Sequence, residues 1–91
     1  MKQLATLSEK FITYVRNAID FTVSQEGGQY PVMGSVITAS GIATERQLDK
    51  LEEAGHIKSF EVQVPSTLMP NKTVKMKAYY TERLVPTYVK A

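Results

Sequence analysis

A change of hydrophobic period at one glycine constrains this chain more than any other feature. Residues 44 to 62 read Thr-Glu-Arg-Gln-Leu-Asp-Lys-Leu-Glu-Glu-Ala-Gly-His-Ile-Lys-Ser-Phe-Glu-Val. Before Gly55, Leu48 and Leu51 fall one turn apart on a single helical face; after it, Phe60, Val62 and Val64 alternate with Ser59, Glu61 and Gln63 as on a strand. Thr44 and Gln47 have the spacing of a capping box, so the start of the helix is encoded as sharply as its end. Gly55 supplies the left-handed residue that stops the helix, and His56-Ile57 leads into the strand. A chain that switches period this abruptly is α+β.

Ninety-one residues make one domain, with room for a small core but not for a core plus an enclosed substrate cavity. A hydrophobic share of 43% and a charged share of 22% are those of an ordinary globular protein. The net charge of +2 permits nucleic-acid binding without pointing to it. The absence of cysteine excludes disulfides and thiolate metal sites and fits a reducing cytoplasm. The N-terminus lacks the apolar run of a signal peptide and no segment is apolar enough to span a bilayer, so a cytoplasmic protein without a membrane partner is expected.

The first predicted element is a helix over residues 6 to 25, with Thr6 and Glu9 as a second capping box. Leu7, Phe11, Val15, Ala18 and Ile19 form its apolar stripe, widened by Tyr14 and Phe21 on one edge and by Ile12 and Val23 on the other. So broad a stripe has room for two coverings, the domain's own core and something else. Gly27-Gly28 ends this helix, and a short helix over 32 to 40 carries Val32, Val36 and Ile37 inward. Ser40-Gly41 then forms the tight turn of a helix-turn-helix. Beyond Pro65 to Asn71, Val74, Met76, Ala78 and Tyr80 alternate with Thr73, Lys75, Lys77 and Tyr79, the return strand of an antiparallel ribbon over 57 to 80. Residues 30 to 32 are placed to add a short third strand, and the tail over 82 to 91 has no helical period. The expected core is Leu7, Phe11, Val15, Ile19, Val36, Ile37, Leu48, Leu51, Ile57, Phe60, Val62 and Val74.

The run Gln47-Leu48-Asp49-Lys50-Leu51-Glu52-Glu53-Ala54-Gly55-His56-Ile57 is similar to the LxxLExxGxI signature of winged-helix proteins, including PadR-like, MarR-like and ArsR-like regulators. Lys77-Ala78-Tyr79-Tyr80-Thr81 resembles the wing-closing strand of the PadR-like group, and the likeness covers about residues 30 to 81. It implies a winged helix-turn-helix, three helices followed by a two-stranded wing, and a regulator or accessory factor that binds double-stranded DNA. Two departures oppose a direct transfer of that function. From Gly41 to Gly55 the chain is about one helical turn shorter than bacterial regulators, a turn belonging to the end of the recognition helix that reaches base edges. Such short forms resemble winged helices that bind other proteins. The long C-terminal helix through which PadR-like proteins dimerise is also missing.

On a helical wheel with Leu48 and Leu51 inward, Arg46 and Lys50 point outward together, and Thr44 and Gln47 lie near the helix start. These four are the candidates for major-groove contact, although Asp49 and Glu53 beside them repel phosphate. Lys72, Lys75 and Lys77 follow one loop and strand; alternation places Lys75 and Lys77 on the outer face, where they can grip phosphates or simply protect a sheet edge. Leu68 and Met69 at the ribbon tip are candidates for contact with a protein partner. DNA binding is therefore the first expectation and a protein-interaction module the second, with the oligomeric state open and a homodimer among the options. His56 is the lone histidine and no carboxylates cluster, so no enzyme, metal site or cofactor is expected.

Overall fold

The computed structural model describes residues 7–66 and 68–90. Over that span the protein is α+β, with four helices and a three-stranded antiparallel sheet. In chain order these are α1 (Glu9–Gln25), β1 (Val32–Met33), α2 (Gly34–Ala39), α3 (Glu45–Glu53), β2 (Lys58–Pro65), β3 (Thr73–Tyr80) and α4 (Thr87–Lys90). No described helix is long and apolar enough to cross a membrane.

Each of the first three helices stops by the same local device. At α3 the Gly55 amide donates to the Glu52 carbonyl and the His56 amide to the Leu51 carbonyl, with Gly55 at φ 83°. This Schellman pairing satisfies carbonyls the helix leaves without partners, and glycine enters the left-handed region without a Cβ clash. The same pair of bonds recurs around Gly27 and around Gly41. At the other end of α3, Thr44 and Gln47 form the full capping box, with bonds of 3.1 and 2.9 Å. Helix α1 starts later than predicted. Ser8 caps it by accepting from the Phe11 amide, and Glu9 is its first residue; Thr6 of the predicted capping box lies outside the described residues.

Strands β2 and β3 pair over their full length, from Lys58 opposite Tyr80 to Pro65 opposite Thr73. Strand β1 pairs only with the base of β3, Val32 with Tyr79 and Met33 with Ala78, giving the order β1-β3-β2. The predicted third strand is thus present, displaced slightly along the chain. It consumes the start of the expected second helix, because Pro31 holds the chain extended where β3 can pair with it. In the tail, read as having no helical period, Thr87 to Lys90 make one helical turn, too short to carry such a period, anchored by the Thr87 and Tyr88 amides on the carbonyls of Gly28 and Gln29.

The core joins α1, α2 and α3 to the base of the sheet through Val15, Ile19, Val23, Val32, Ile37, Ala43, Leu48, Leu51, Ile57 and Tyr79. Leu7 and Phe11 pack against it from the edge. Four predicted core residues do not belong. Val36 is 53% exposed and Val74 45%, while Phe60 and Val62 are half-buried on the other side of the sheet. Tyr79, assigned by alternation to the outer face, is instead 3% exposed inside the core. Gly34 makes this possible, since a Cβ there would stand 3.0 Å from the Tyr79 ring and 3.2 Å from the Lys77 carbonyl oxygen.

The core also fixes the last segment of chain. Thr81 is fully buried and donates its hydroxyl proton to Asp20, which receives Arg83 at 2.7 Å. Burial of a hydroxyl is tolerable because this bond replaces the one water would make.

Candidate interaction surface

Helix α3 presents two faces besides the buried one. Glu45, Asp49 and Glu52 follow helical spacing toward the ribbon, while Arg46, Lys50 and Glu53 lie farther round. Arg46 is exposed, Lys50 half-buried, and Thr44 and Gln47 are occupied with each other in the capping box. Of the predicted DNA contacts on this helix, Arg46 and Lys50 are therefore brought together, whereas Thr44 and Gln47 serve the helix itself. Around the two cations stand four carboxylates, Glu45, Asp49, Glu52 and Glu53.

A groove of about 440 Å³ runs between α2, α3 and the ribbon, with Glu45 and Asp49 on one wall and Lys75 and Lys77 on the other. Lys77 reaches across to Glu52, Nζ to Oε1 at 3.0 Å, and Ser59 donates its hydroxyl proton to the other oxygen of the same carboxylate. The Ser59 bond, against a smaller desolvation penalty and with the help of Lys77, holds the Glu52 carboxyl below its ordinary range. Reciprocally, the bond to Glu52 raises the Lys77 ammonium. Burial raises the Tyr79 phenol.

These contacts correct the expected orientation of the ribbon. Ser59, Glu61, Lys77 and Tyr79 share one face, and that face looks toward α3 and the core. Lys77 is thus not on the outer face, and Lys75 shares its side, lining the groove. Lys72 is exposed near the tip, away from both. The other face carries Phe60, Val62, Val64, Val74 and Met76, none of which joins the core cluster. Among the described residues only its base is covered: Phe60 meets the Tyr88 ring edge-on with centroids 5.6 Å apart, and Tyr88 lies 5.7 Å from the Tyr30 ring. Beyond Phe60 the aliphatic face stays open, with Val62, Val64 and Met76 half-buried and Val74 exposed.

The tip of the ribbon is apolar as well. Leu68 is 90% exposed and Met69 54%. Ser66 shapes the turn: its hydroxyl oxygen accepts from the Leu68 and Met69 amides, its amide donates to the Lys72 carbonyl, and the Lys72 amide donates to Met69. These bonds tie the described backbone of the turn to itself, and the Leu68 and Met69 side chains are left exposed. Sequence spacing anticipated the exposure of the tip but not the open face beside it. The signal was present in Phe60, Val62 and Val64, since alternation defines two faces without saying which one the helices cover.

No family model, curated protein or solved structure matches this chain.

Proposed function

We propose that this chain is a protein-interaction module on a winged-helix scaffold, with the outer face and tip of the ribbon as its contact surface. The order helix, short strand, helix-turn-helix and ribbon supports the scaffold. The observation that carries the function is the outward aliphatic face of Val62, Val64, Val74 and Met76, continuous in sequence with Leu68 and Met69. Apolar side chains gathered on one exposed ribbon gain free energy only when something else removes them from water. Exposed large apolar side chains such as Leu68 and Met69 at the tip are suited to fill a pocket on a partner.

Electrostatics favour this reading over DNA binding. Cations facing phosphate owe their affinity to unpaired charge and counterion release. Here Lys77 is committed to Glu52, and Lys75 shares a groove with Glu45 and Asp49. Helix α3 would bring four carboxylates and two cations toward the duplex.

The test pairs two measurements. Titration with random duplex DNA at low and high salt is expected to give no binding at either. A protein retained from host-cell lysate by the wild type is expected to be lost with Met69→Asp or Val62→Asp and kept when Lys75 and Lys77 are both changed to Gln. DNA binding that weakens steeply with salt, and whose salt slope flattens by about two units in the double lysine variant, would instead establish the DNA-binding reading.

A further inference from the structure

Helix α1 carries more apolar side chains than its own core uses. Val15, Ile19 and Val23 are buried, whereas Tyr14 is 54% and Phe21 64% exposed, with Ala18 half-buried between them. Phe11, Tyr14, Ala18 and Phe21 succeed one another at spacings of three, four and three residues. Such spacing draws one straight line along a helix, and it is the seam of two helices packed side by side. Beside it, between α1 and α2, an apolar cleft of about 190 Å³ is bounded by Ala18, Thr22, Val36, Ile37 and Ile42. A water's share of the liquid is only about 30 Å³, so the cleft has room for a side chain.

We propose that α1 packs antiparallel against α1 of a second copy of this chain along this seam. The occupant is a copy because the seam complements itself. With a two-fold axis midway between positions 14 and 18, Tyr14 of each copy meets Ala18 of the other, and Phe11 meets Phe21. Large therefore faces small at the centre, and aromatic faces aromatic at both ends, each contact occurring twice as an isologous interface requires. The flank does not oppose this. Thr13, Asn17 and Ser24 are uncharged, and Arg83, which reaches Asn17 at 3.3 Å, is paired with Asp20. Among the described residues of α1, Lys10 is the charge close to the seam, and the antiparallel arrangement sets its two copies at opposite ends.

The size of the patch bounds the interface. A seventeen-residue helix is about 25 Å long and 10 Å wide. With Val36 and Ile42 added, each copy offers on the order of 500 Å², the low end for a specific interface. Interfaces of this size are typical of weak, reversible contacts, so the micromolar range is the one to search.

Sedimentation velocity from about 1 to 200 µM tests this, because a dimer of that affinity changes its population across the range. The wild type is expected to move from monomer mass toward twice that mass. Phe21→Asp and Tyr14→Lys, both at exposed positions and checked by circular dichroism, are expected to stay monomeric throughout. The ribbon variant Val62→Asp is expected to dimerise as the wild type does, so this proposal and the ribbon reading fail separately. Because the chain has no cysteine, a mixture of Tyr14→Cys and Ala18→Cys proteins reports the register through a disulfide between unlike copies. Monomer mass at every concentration would overturn the proposal, as would a dimer that ignores Phe21→Asp and Tyr14→Lys or dissociates with Val62→Asp.

Discussion

Exchanging Tyr79 for alanine and Val62 for aspartate asks the molecule which face of its ribbon is inside. Tyr79 is 3% exposed and packed with Leu48, Ile37 and Val32 in one cluster. Removing a buried aromatic ring costs about 3–5 kcal/mol, the transfer term plus the cavity left under the sheet. A ninety-one-residue domain has roughly 5–14 kcal/mol in total, so Tyr79→Ala removes about a fifth of it at the least. Val62 is half-buried on the opposite face, where loss of half a valine's burial costs about 1 kcal/mol and the new carboxylate still reaches water. Urea denaturation followed by far-ultraviolet circular dichroism measures both on one scale. The midpoint of Tyr79→Ala is expected to fall several times further than that of Val62→Asp. The reverse order would refute the assigned orientation, because it is what a ribbon with its aliphatic face on the helices must give.

Other perturbations test separate parts of the structure. Gly34→Ala sets up to about 1 kcal/mol of helix propensity against a methyl forced to within 3.0 Å of the Tyr79 ring and 3.2 Å of a backbone oxygen, so net destabilisation on the order of 1 kcal/mol is expected; a raised melting temperature would show that the sheet can yield there. Leu51→Ala, at a fully buried position, is expected to cost about 2–5 kcal/mol, while Val36→Ala at an exposed one stays within about 0.5 kcal/mol; equal melting temperatures for the two would contradict the placement of α3. Thr44→Ala removes one half of the capping box and is expected to cost about 1 kcal/mol, read by the same melts. The lowered Glu52 and raised Lys77 values set a pH window. Glu52 contributes stability above its unfolded pKa and loses it as pH falls through the lower folded value; Lys77 contributes below its unfolded pKa and loses it as pH rises through the higher folded one. The stability gap between wild type and Glu52→Gln is therefore expected to be small and constant near neutrality, since the pair is partly solvated, and to close in acid. A gap that widens on acidification would disprove the pairing.

Local signals carried much of this fold. Thr44 and Gln47, and the glycines at 27, 41 and 55, act on backbone groups within five residues, so their geometry follows from sequence spacing wherever the helices lie. The strands alternate as read, and their pairing follows. What alternation leaves undetermined is the sidedness of the ribbon, because both faces carry apolar residues: aliphatics on one, Tyr79 on the other. Sidedness was decided by contacts distant in sequence. Gly34 vacates the space for the Tyr79 ring, and Glu52 on α3 draws in Ser59 and Lys77. The same distant packing moved Val36 outward and gave the tail one helical turn against Gly28 and Gln29. Of the candidate surface, Leu68 and Met69 were legible because a short turn with two apolar residues has nowhere to hide them. The open face of Val62, Val64, Val74 and Met76 was not, since identical side chains serve as core or as contact surface according to which side the helices occupy.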